Sequence, residues 1–202
     1  MKSKIDLELW QQKKIFCGID EVGRGALAGP VVAAAIVLKP FTNIPGVKDS
    51  KQLTAKAREK LYPIIIKNAV AIGIDLATVK EIDRLNIRNA SFLAMNRAIR
   101  ALDYKCDQAI VDGFEIPECE IPNIGIIKGD QKSISIACAS IIAKVTRDRI
   151  MKKLHKRYPK YNFVTNKGYP TPGHKKAIAK IGPTKIHRKS FEPVRQTSMP
   201  IE

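Results

Sequence analysis

Short apolar runs bounded by glycine, proline or charged residues recur along the chain and predict β-strands. The run VVAAAIVL at residues 31–38 is the clearest, because a continuous apolar run rich in Val and Ile is typical of a strand buried on both faces. The predicted strands cover residues 15–19, 31–38, 69–76, 108–111 and 124–127.

Segments with capping residues lie between these strands and predict helices. Thr54 can cap a helix over residues 55–68, Thr78 and Glu81 have the spacing of a capping box, and Asn86 can cap a helix over 87–102. Two further helices are predicted over residues 133–158 and 174–181. In the longer one the apolar stripe changes face, which predicts either two different neighbours or a bend. The order of elements predicts an α/β fold with a mixed sheet and helices on its faces, and 202 residues favour one domain.

The first strand runs into two adjacent carboxylates, Asp20 and Glu21, and then into the turn Gly23-Arg24-Gly25. Because side chains alternate along a strand, both acids reach one site only if the strand ends or bulges there. The glycines let the backbone approach a ligand closely. Paired acids beside exposed amides suit a metal ion that holds a phosphate, whereas on these residues alone a turn with two solvated acids is an equal alternative.

Two more acids, Asp112 and Asp130, follow the ends of later predicted strands and lie beside glycines. If the four acids meet, each like-charge pair at ~4 Å costs about 4 kcal/mol at an effective dielectric constant near 20, so a cation is needed among them. Oxygen ligands without His or Cys select Mg²⁺ or Mn²⁺, and two such ions suit phosphodiester hydrolysis. The alternative is that Asp112 and Asp130 are ordinary turn residues.

The charge of the chain is strongly positive and uneven. Lys and Arg number 36 against 19 Asp and Glu, and residues 144–202 hold 16 of the basic residues but only 3 of the acidic ones. This imbalance predicts a polyanionic partner, which the C-terminal third faces, with solvated surface lysines as the alternative. No apolar run approaches the ~20 residues of a membrane span, and the N-terminus does not have the pattern of a signal peptide. The four cysteines have no metal-site spacing, so we expect free thiols in a reducing cytoplasm.

Several motifs, in order, resemble the type 2 ribonuclease H family, ribonuclease HII. They are GIDEVGRGALAGPVV, KDSKQL, VDG, KGDQKS with SIACASIIAKVTRDR, KGYPTPGH and HRKSF, and together they span about residues 16–194. The resemblance implies a ribonuclease H-like mixed sheet, in one catalytic domain over residues 1–202 whose segment 159–202 is basic and contacts substrate. It also implies Mg²⁺- or Mn²⁺-dependent cleavage of RNA in RNA–DNA hybrids and 5′ of ribonucleotides embedded in duplex DNA, leaving 3′-hydroxyl and 5′-phosphate ends. Such an activity belongs to DNA replication and ribonucleotide excision repair.

The resemblance also implies roles for individual residues. Asp20, Glu21, Asp112 and Asp130 are expected to be catalytic and to bind metal. The Gly23-Arg24-Gly25 turn is expected to contact the ribonucleotide and Tyr169 to pack on the sugar at the RNA–DNA junction. The expected phosphate contacts are Ser50, Lys51, Lys144, Arg147, Lys167, His187 and Arg188.

The expected assembly is a monomer. A sliding-clamp partner is not expected, because the chain stops soon after SFEPV. Two other functional classes stay open: a non-catalytic nucleic-acid-binding module, and a resolvase- or integrase-type nuclease that cuts all-DNA substrates.

Overall fold

A five-stranded mixed β-sheet organises the computed structural model, which describes residues 3–47 and 53–197. The strand order is β3-β2-β1-β4-β5; β1 pairs antiparallel with β2 and parallel with β4, β3 is antiparallel to β2, and β5 is parallel to β4. Every predicted strand is present with ends within three residues of those predicted. The strands are β1 (Phe16–Val22), β2 (Val31–Leu38), β3 (Ala69–Ala77), β4 (Gln108–Asp112) and β5 (Asn123–Ile126).

Helices cover both faces of the sheet. The helices are α1 (Lys4–Gln11), α2 (Ala55–Asn68), α3 (Val79–Arg100), the single turn α4 (Gly129–Lys132), α5 (Ile134–Arg157), α6 (Phe163–Asn166), α7 (Pro172–Ile181) and α8 (Val194–Thr197), with a short 3₁₀ helix at Pro159–Tyr161. One apolar core joins the sheet to α1, α2 and α5, and a second joins the opposite face to α3. The mixed α/β fold predicted from the sequence is confirmed. No helix in the described ranges is long and apolar enough to cross a membrane.

The continuous apolar run of β2 follows from this layering. Ala34 and Ile36 belong to the core on the α5 face, and Ala33 and Ala35 belong to the core on the α3 face, so neither side of the strand contacts water. Helix α5 lies so close to β1 that a Cβ on Gly18 would come within 2.3 Å of the carbonyl carbon of Ser135. This close contact fixes α5 against the strand that carries the first two acids.

The capping residues act as the sequence predicts. Thr78 and Glu81 form a complete capping box. Asn86 has a non-helical backbone inside α3, and its Oδ1 accepts hydrogen bonds from the amides of Arg88 and Asn89. Asn86 therefore caps the second half of α3, which packs on the sheet face opposite α5.

The N-terminal helix α1 was not predicted, and it stabilises the start of α5. Asp6 is fully buried and accepts hydrogen bonds from the amide (3.0 Å) and hydroxyl (2.6 Å) of Ser135. Ser3 hydrogen-bonds to Asp6 and accepts one from the amide of Ile134 at 3.0 Å. The N-terminal segment thus satisfies the first amides of α5, which lie about 130 residues later in the chain. This contact leaves no periodic signal in either segment.

The second half of α5 packs on a small C-terminal core. Met151 lies in this core with Phe163, Ile178 and Val194, together with Leu27 and Ala28 from the chain after β1. The first half of α5 is buried against the sheet, so the change of apolar face reflects two different neighbours, one of the two predicted alternatives.

Candidate active site

The three parallel strands of the sheet carry the predicted acids toward one edge. Because β1, β4 and β5 are parallel, their carboxyl ends lie at the same edge, where α/β proteins gather functional groups. Asp20 and Glu21 lie at the end of β1, and Asp112 is the last residue of β4. Asp130 follows β5 after a short turn and lies in α4.

The expectation that β1 ends or bulges at its acids is wrong. The strand continues to Val22, and its pairing with β2 stays in register through Asp20, Glu21 and Val22. Its pairing with β4, in contrast, ends at Ile19 opposite Val111. Beyond that pair lies a pocket of about 330 Å³, the carboxylate pocket. Its walls include Asp20, Glu21, Asp112, the loop 23–25, Ser140, Lys144 and Tyr169.

Asp20 is the most deeply buried acid of the pocket wall, with 6% of its surface exposed. Its Oδ1 accepts a hydrogen bond of 2.7 Å from the amide of Glu21, and the Ser140 hydroxyl donates another to its carboxylate. Burial, and then the charges of Glu21 and Asp112, raise the pKa of Asp20 well above its usual value. The pocket therefore disfavours this negative charge unless a cation offsets it.

Glu21 and Asp112 complete the acidic wall. Burial raises the pKa of Glu21 to about 7, with the Arg24 guanidinium lowering it and the Asp112 charge raising it. Arg24 Nη1 lies 3.3 Å from Glu21 Oε1. Asp112 Oδ1 accepts a hydrogen bond of 2.7 Å from the amide of Gly129. This bond ties the end of β4 to the start of α4.

Asp130 is placed beside the pocket rather than on its wall. It is 4% exposed, and it directly follows Gly129, whose amide reaches Asp112. Within residues 3–47 and 53–197, no group of three or more His, Cys, Asp or Glu side chains is arranged to hold a metal ion. Protein donors engage the carboxylates of Asp20, Glu21 and Asp112 instead. The donor set, carboxylate oxygen alone, nevertheless has the chemistry that Mg²⁺ and Mn²⁺ require.

A buried arginine, Arg188, fixes the backbone of the Gly23-Arg24-Gly25 loop by hydrogen bonds. The Arg188 guanidinium is fully buried and donates hydrogen bonds to the carbonyl oxygens of Gly23 (2.7 Å), Arg24 (2.7 Å) and Gly29 (2.9 and 3.1 Å). The predicted phosphate contact of Arg188 is therefore wrong. Its guanidinium instead stabilises three carbonyl groups of the segment that follows β1.

Arg147 has a similar role on the other side of this loop. It is fully buried and donates to the carbonyl oxygens of Ala28 (3.1 Å), Pro30 (2.9 Å) and Lys167 (2.9 Å). Gly23 has φ 101°, and a Cβ there would come within 2.2 Å of Arg147 Nε. The predicted phosphate contact of Arg147 is also wrong, since its donors face the backbone of two loops.

A pair of histidines positions Tyr169. His187 is 1% exposed, and its Nδ1 accepts a hydrogen bond from the amide of Thr184 at 2.9 Å. That bond assigns the proton to Nε2, which donates to His174 Nε2 at 3.1 Å, and His174 Nδ1 then donates to the Tyr169 carbonyl oxygen at 2.9 Å. The predicted phosphate contact of His187 is thus wrong, because its ring is enclosed and both its nitrogens are engaged.

The remaining predicted residues lie where substrate can reach them or outside the described ranges. Gly25 and Arg24 are exposed, and Tyr169 is half-buried with its ring 5.7 Å from Lys144 Nζ and 5.3 Å from the Arg147 guanidinium. Lys144 also pairs with Asp148 at 2.7 Å. Lys167 Nζ donates to the Val164 carbonyl oxygen at 2.6 Å. Ser50 and Lys51 lie outside the described residues.

Ser140 was not predicted, although a signal for it exists. It precedes Lys144 by four residues on α5, so the two side chains share one helix face. Both line the carboxylate pocket. Helical spacing from a predicted site residue could therefore have identified it.

The fold and the carboxylate edge define the class of this protein, which is a ribonuclease H-like nuclease. The sequence profile of the family described as ribonuclease HII matches residues 17–194. The chain belongs to the ribonuclease HII family.

Individual relatives agree with this assignment. Ribonuclease HII of Caldicellulosiruptor saccharolyticus is 51% identical over 178 residues, which cover 88% of this chain and 87% of that protein. The crystal structure of ribonuclease H2 from Pyrococcus horikoshii OT3 has a TM-score of 0.76 at 32% identity, covering 90% of this chain and 96% of that one. Bst-RNase HIII, solved in complex with Mn²⁺, shares the fold with a TM-score of 0.70 at 20% identity, covering 98% of this chain and 73% of that one.

The family determines the general activity of the chain. It is a ribonuclease H, a hydrolase of the endonuclease type that acts on RNA–DNA substrates. Enzymes of this class use divalent metal ions.

Proposed function

We propose that this enzyme hydrolyses the RNA strand of RNA–DNA hybrids and nicks 5′ of ribonucleotides embedded in duplex DNA, leaving 3′-hydroxyl and 5′-phosphate ends. The observation that carries the proposal is one pocket in which Asp20, Glu21 and Asp112 face the Gly23-Arg24-Gly25 loop and Tyr169. Acids suited to phosphodiester hydrolysis thus adjoin backbone and ring groups suited to a ribose. This arrangement supports cleavage at a ribonucleotide over cleavage of DNA in general.

Asp20, Glu21, Asp112 and Asp130 are the proposed ligands of Mg²⁺ or Mn²⁺. The raised pKa values of Asp20 and Glu21 arise mainly from burial, so a cation here offsets charge that the protein only partly compensates. Two bound ions supply activation of the attacking water and stabilisation of the leaving oxygen. The chain itself orients the ligands, through Ser140 for Asp20 and the Gly129 amide for Asp112.

Sugar discrimination is assigned to the loop 23–25 and to Tyr169. The 2′-hydroxyl distinguishes RNA from DNA, and it requires donors or acceptors held at close range. Arg188 donates to the carbonyl oxygens of Gly23 and Arg24 in this loop, and Arg147 donates to those of Ala28 and Pro30 just after it. The histidine pair holds the Tyr169 carbonyl group. The loop 23–25 and Tyr169 both line the pocket with a backbone held by hydrogen bonds, which makes discrimination by a single hydroxyl group possible.

Phosphate binding is assigned to Lys144 at the pocket and to the basic segment 159–202, with Ser50 and Lys51 as further predicted contacts. Lys160, Lys176 and Lys180 line one surface depression of that segment. Such a basic surface docks the duplex without reading its sequence. We also propose that the enzyme is a cytoplasmic monomer acting in DNA replication and ribonucleotide repair; the four cysteines are unpaired, as a reducing compartment requires.

The decisive experiment uses a DNA duplex with a single ribonucleotide, incubated with Mg²⁺ or Mn²⁺ and, in parallel, with EDTA. We expect one nick 5′ of the ribonucleotide in the presence of either ion and none with EDTA. A long RNA–DNA hybrid measures the second proposed activity. A protein that leaves the single-ribonucleotide duplex intact contradicts the proposal.

Two controls separate the alternatives. An all-DNA duplex of the same sequence should stay uncut, whereas a resolvase- or integrase-type nuclease would cut it. Asp130→Asn should abolish cleavage and largely retain duplex binding, whereas a binding module whose acids are structural would be unaffected.

A further inference from the structure

A second cavity adjoins the carboxylate pocket on the α3 side of the sheet. We call it the flanking cavity; its volume is about 430 Å³, within the range of roughly 300–1,000 Å³ that is typical of small-ligand sites. It shares Glu21, Arg24 and Asp112 with the carboxylate pocket. Its remaining walls are Arg88, Ser91, Phe92 and Met95 of α3 and Phe114 of the loop after β4. A strand that passes the shared acids can therefore continue directly into this space.

Arg88 supplies a positive charge at the wall of the flanking cavity. It is exposed, its guanidinium lies 5.7 Å from the centre of the Phe92 ring, and it has no carboxylate partner within residues 3–47 and 53–197. A guanidinium resting on an aromatic face keeps its N–H edges free, and these edges match the geometry of a phosphate. Arg24, whose side chain is 51% exposed and pairs with Glu21 at 3.3 Å, adds a second guanidinium to the cavity wall, and Arg88 is the one available to an anion.

Phe114 supplies an aromatic surface on a fixed backbone. Phe114 is 63% exposed, so its ring is open to a ligand in the cavity that it lines. Its loop is held on both sides: the Gly113 amide donates to the Ile126 carbonyl oxygen at 2.9 Å, and the Ile116 amide donates to Asn123 Oδ1 at 2.7 Å. A ring exposed on a rigid loop is a stacking platform for a nucleobase.

We propose that the flanking cavity binds the nucleotide of the cleaved strand next to the scissile phosphate, with Arg88 on its phosphate and Phe114 against its base. The proposal rests on the proposed function, because the carboxylate pocket fixes where the strand enters. Charge complementarity and continuity with that pocket select this occupant. Neither Arg88 nor Phe114 belongs to the motifs that the sequence singles out.

The phosphate contact is tested with Arg88→Gln and a matched control, Arg84→Gln. Arg84 is exposed on the same helix and does not line the cavity. We expect Arg88→Gln to raise the half-saturating substrate concentration about 10-fold at an unchanged maximal rate, since a charged hydrogen bond is worth on the order of that factor. Arg84→Gln should change neither. An unchanged half-saturating concentration for Arg88→Gln overturns the phosphate contact.

The position of the phosphate is located with duplexes that carry one neutral methylphosphonate linkage, moved stepwise along the cleaved strand on either side of the ribonucleotide. We expect one flanking position at which the modification weakens wild-type binding about 10-fold but does not weaken Arg88→Gln further. Additive losses at every position mean that Arg88 does not contact the cleaved strand, and they overturn the proposal.

The stacking contact is tested with Phe114→Ala, with Tyr104→Ala as the control at the opposite end of β4. Tyr104 is 45% exposed, so both truncations remove an exposed ring. Phe114→Ala should weaken binding about 10-fold, and an abasic site at the flanking nucleotide should abolish the difference from wild type. A loss that persists on the abasic duplex contradicts stacking. Wild-type cleavage of the unmodified duplex tests the proposed function separately, so a failure of the flanking site can be distinguished from a failure of the proposed function.

Discussion

Arg188 Nη2 donates a hydrogen bond of 2.7 Å to the carbonyl oxygen of Gly23, a residue 165 positions earlier in the chain. The same guanidinium also donates to Arg24 and Gly29, so one buried side chain holds three carbonyl groups of the loop after β1. The loop has positive φ at Gly23 and Gly29, a conformation that glycine adopts without strain, and because glycine is flexible the hydrogen bonds from Arg188 restrict the loop to this shape. The C-terminal segment thereby determines the geometry of an N-terminal site.

Arg188→Lys should damage both stability and cleavage. A lysine cannot present a planar fork to three carbonyl groups, so at least two charged hydrogen bonds are lost. At roughly 1.5 kcal/mol each, the free energy of unfolding should fall by about 3 kcal/mol. Urea unfolding measures this change. The control is Arg195→Lys, at an exposed arginine paired with Glu192, which should stay within about 0.5 kcal/mol of wild type. Equal effects of the two substitutions would contradict the loop-holding role.

Asp20→Asn should abolish activity and stabilise the metal-free protein. The folded state raises the pKa of Asp20 above its unfolded value, so it favours the proton, and ionisation at neutral pH opposes folding. An uncharged amide removes this opposition, so the unfolding midpoint in EDTA should rise. Cleavage should fall by more than the roughly 10–100-fold expected for losing an outer-shell partner of a metal.

Thermal unfolding with and without Mg²⁺ checks the same assignment. Mg²⁺ should stabilise the wild type by binding the folded state, and it should stabilise Asp20→Asn much less. Asp103→Asn, a surface control, should behave as wild type in both conditions. A wild-type midpoint that does not respond to Mg²⁺ would argue against an ion at this pocket.

The histidine pair should make the protein sensitive to mild acid. Burial, and then the charge of His174, lower the pKa of His187 to about 4, against 6.5 for an ordinary histidine. The unfolded state therefore binds a proton between these pH values and the folded state does not, so stability falls as pH falls through this window. This one group contributes at most ~3 kcal/mol.

Replacing the His187 ring isolates its contribution to the pH dependence of stability. In His187→Gln, the slope of the unfolding free energy against pH should decrease by up to ~1.4 kcal/mol per pH unit between about pH 4.5 and 6. The pH-dependent unfolding of both proteins in urea measures the difference. Identical slopes would show that His187 does not titrate as the buried geometry requires.

Tyr169→Ala should impair cleavage at an RNA–DNA junction more than it impairs duplex binding. The Tyr169 ring lines the pocket beside Lys144, but it carries no charge and so adds little to phosphate binding. Misplacement of the sugar by ~1 Å costs about 100-fold in rate, so the loss should appear in the maximal rate. Tyr169→Phe should retain most of the activity. The Tyr104→Ala control should be unaffected, and equal losses of rate and affinity for Tyr169→Ala would count against sugar packing.

The sequence predicted the elements well because their signals are local. The apolar run of β2 and the caps at Thr78 and Asn86 depend on residues a few positions apart, and the structure has each of them. The placement of acids at the ends of β1 and β4 is equally local. Helix α1 escaped prediction, because its contacts from Ser3 and Asp6 reach residues about 130 positions away.

The wrong phosphate contacts share one cause, which is that the sequence does not show whether a basic side chain is buried or exposed. Arg147, His187 and Arg188 have the residue types of phosphate contacts, yet all three are buried. The two arginines donate to backbone carbonyl groups, and His187 bonds Thr184 and His174. Buried carbonyl groups need hydrogen-bond donors, and Arg147 and Arg188 donate to five carbonyl groups of the segment 23–30. No pattern in the motifs HRKSF and SIACASIIAKVTRDR, which hold these residues, distinguishes the two roles.

The sequence by itself determined the order of the five strands and of helices α2, α3, α5 and α7, the acids at the strand ends and the family to which the chain belongs. Tertiary structure alone decided that β1 parts from β4 after Ile19 and so opens the pocket, which basic side chains face solvent, and that α3 and Phe114 form a second wall. The physical reason is the distance along the chain between the residues that interact. Periodicity and capping act within one or two turns of chain, whereas burial and pocket shape depend on groups contributed from segments more than a hundred residues apart.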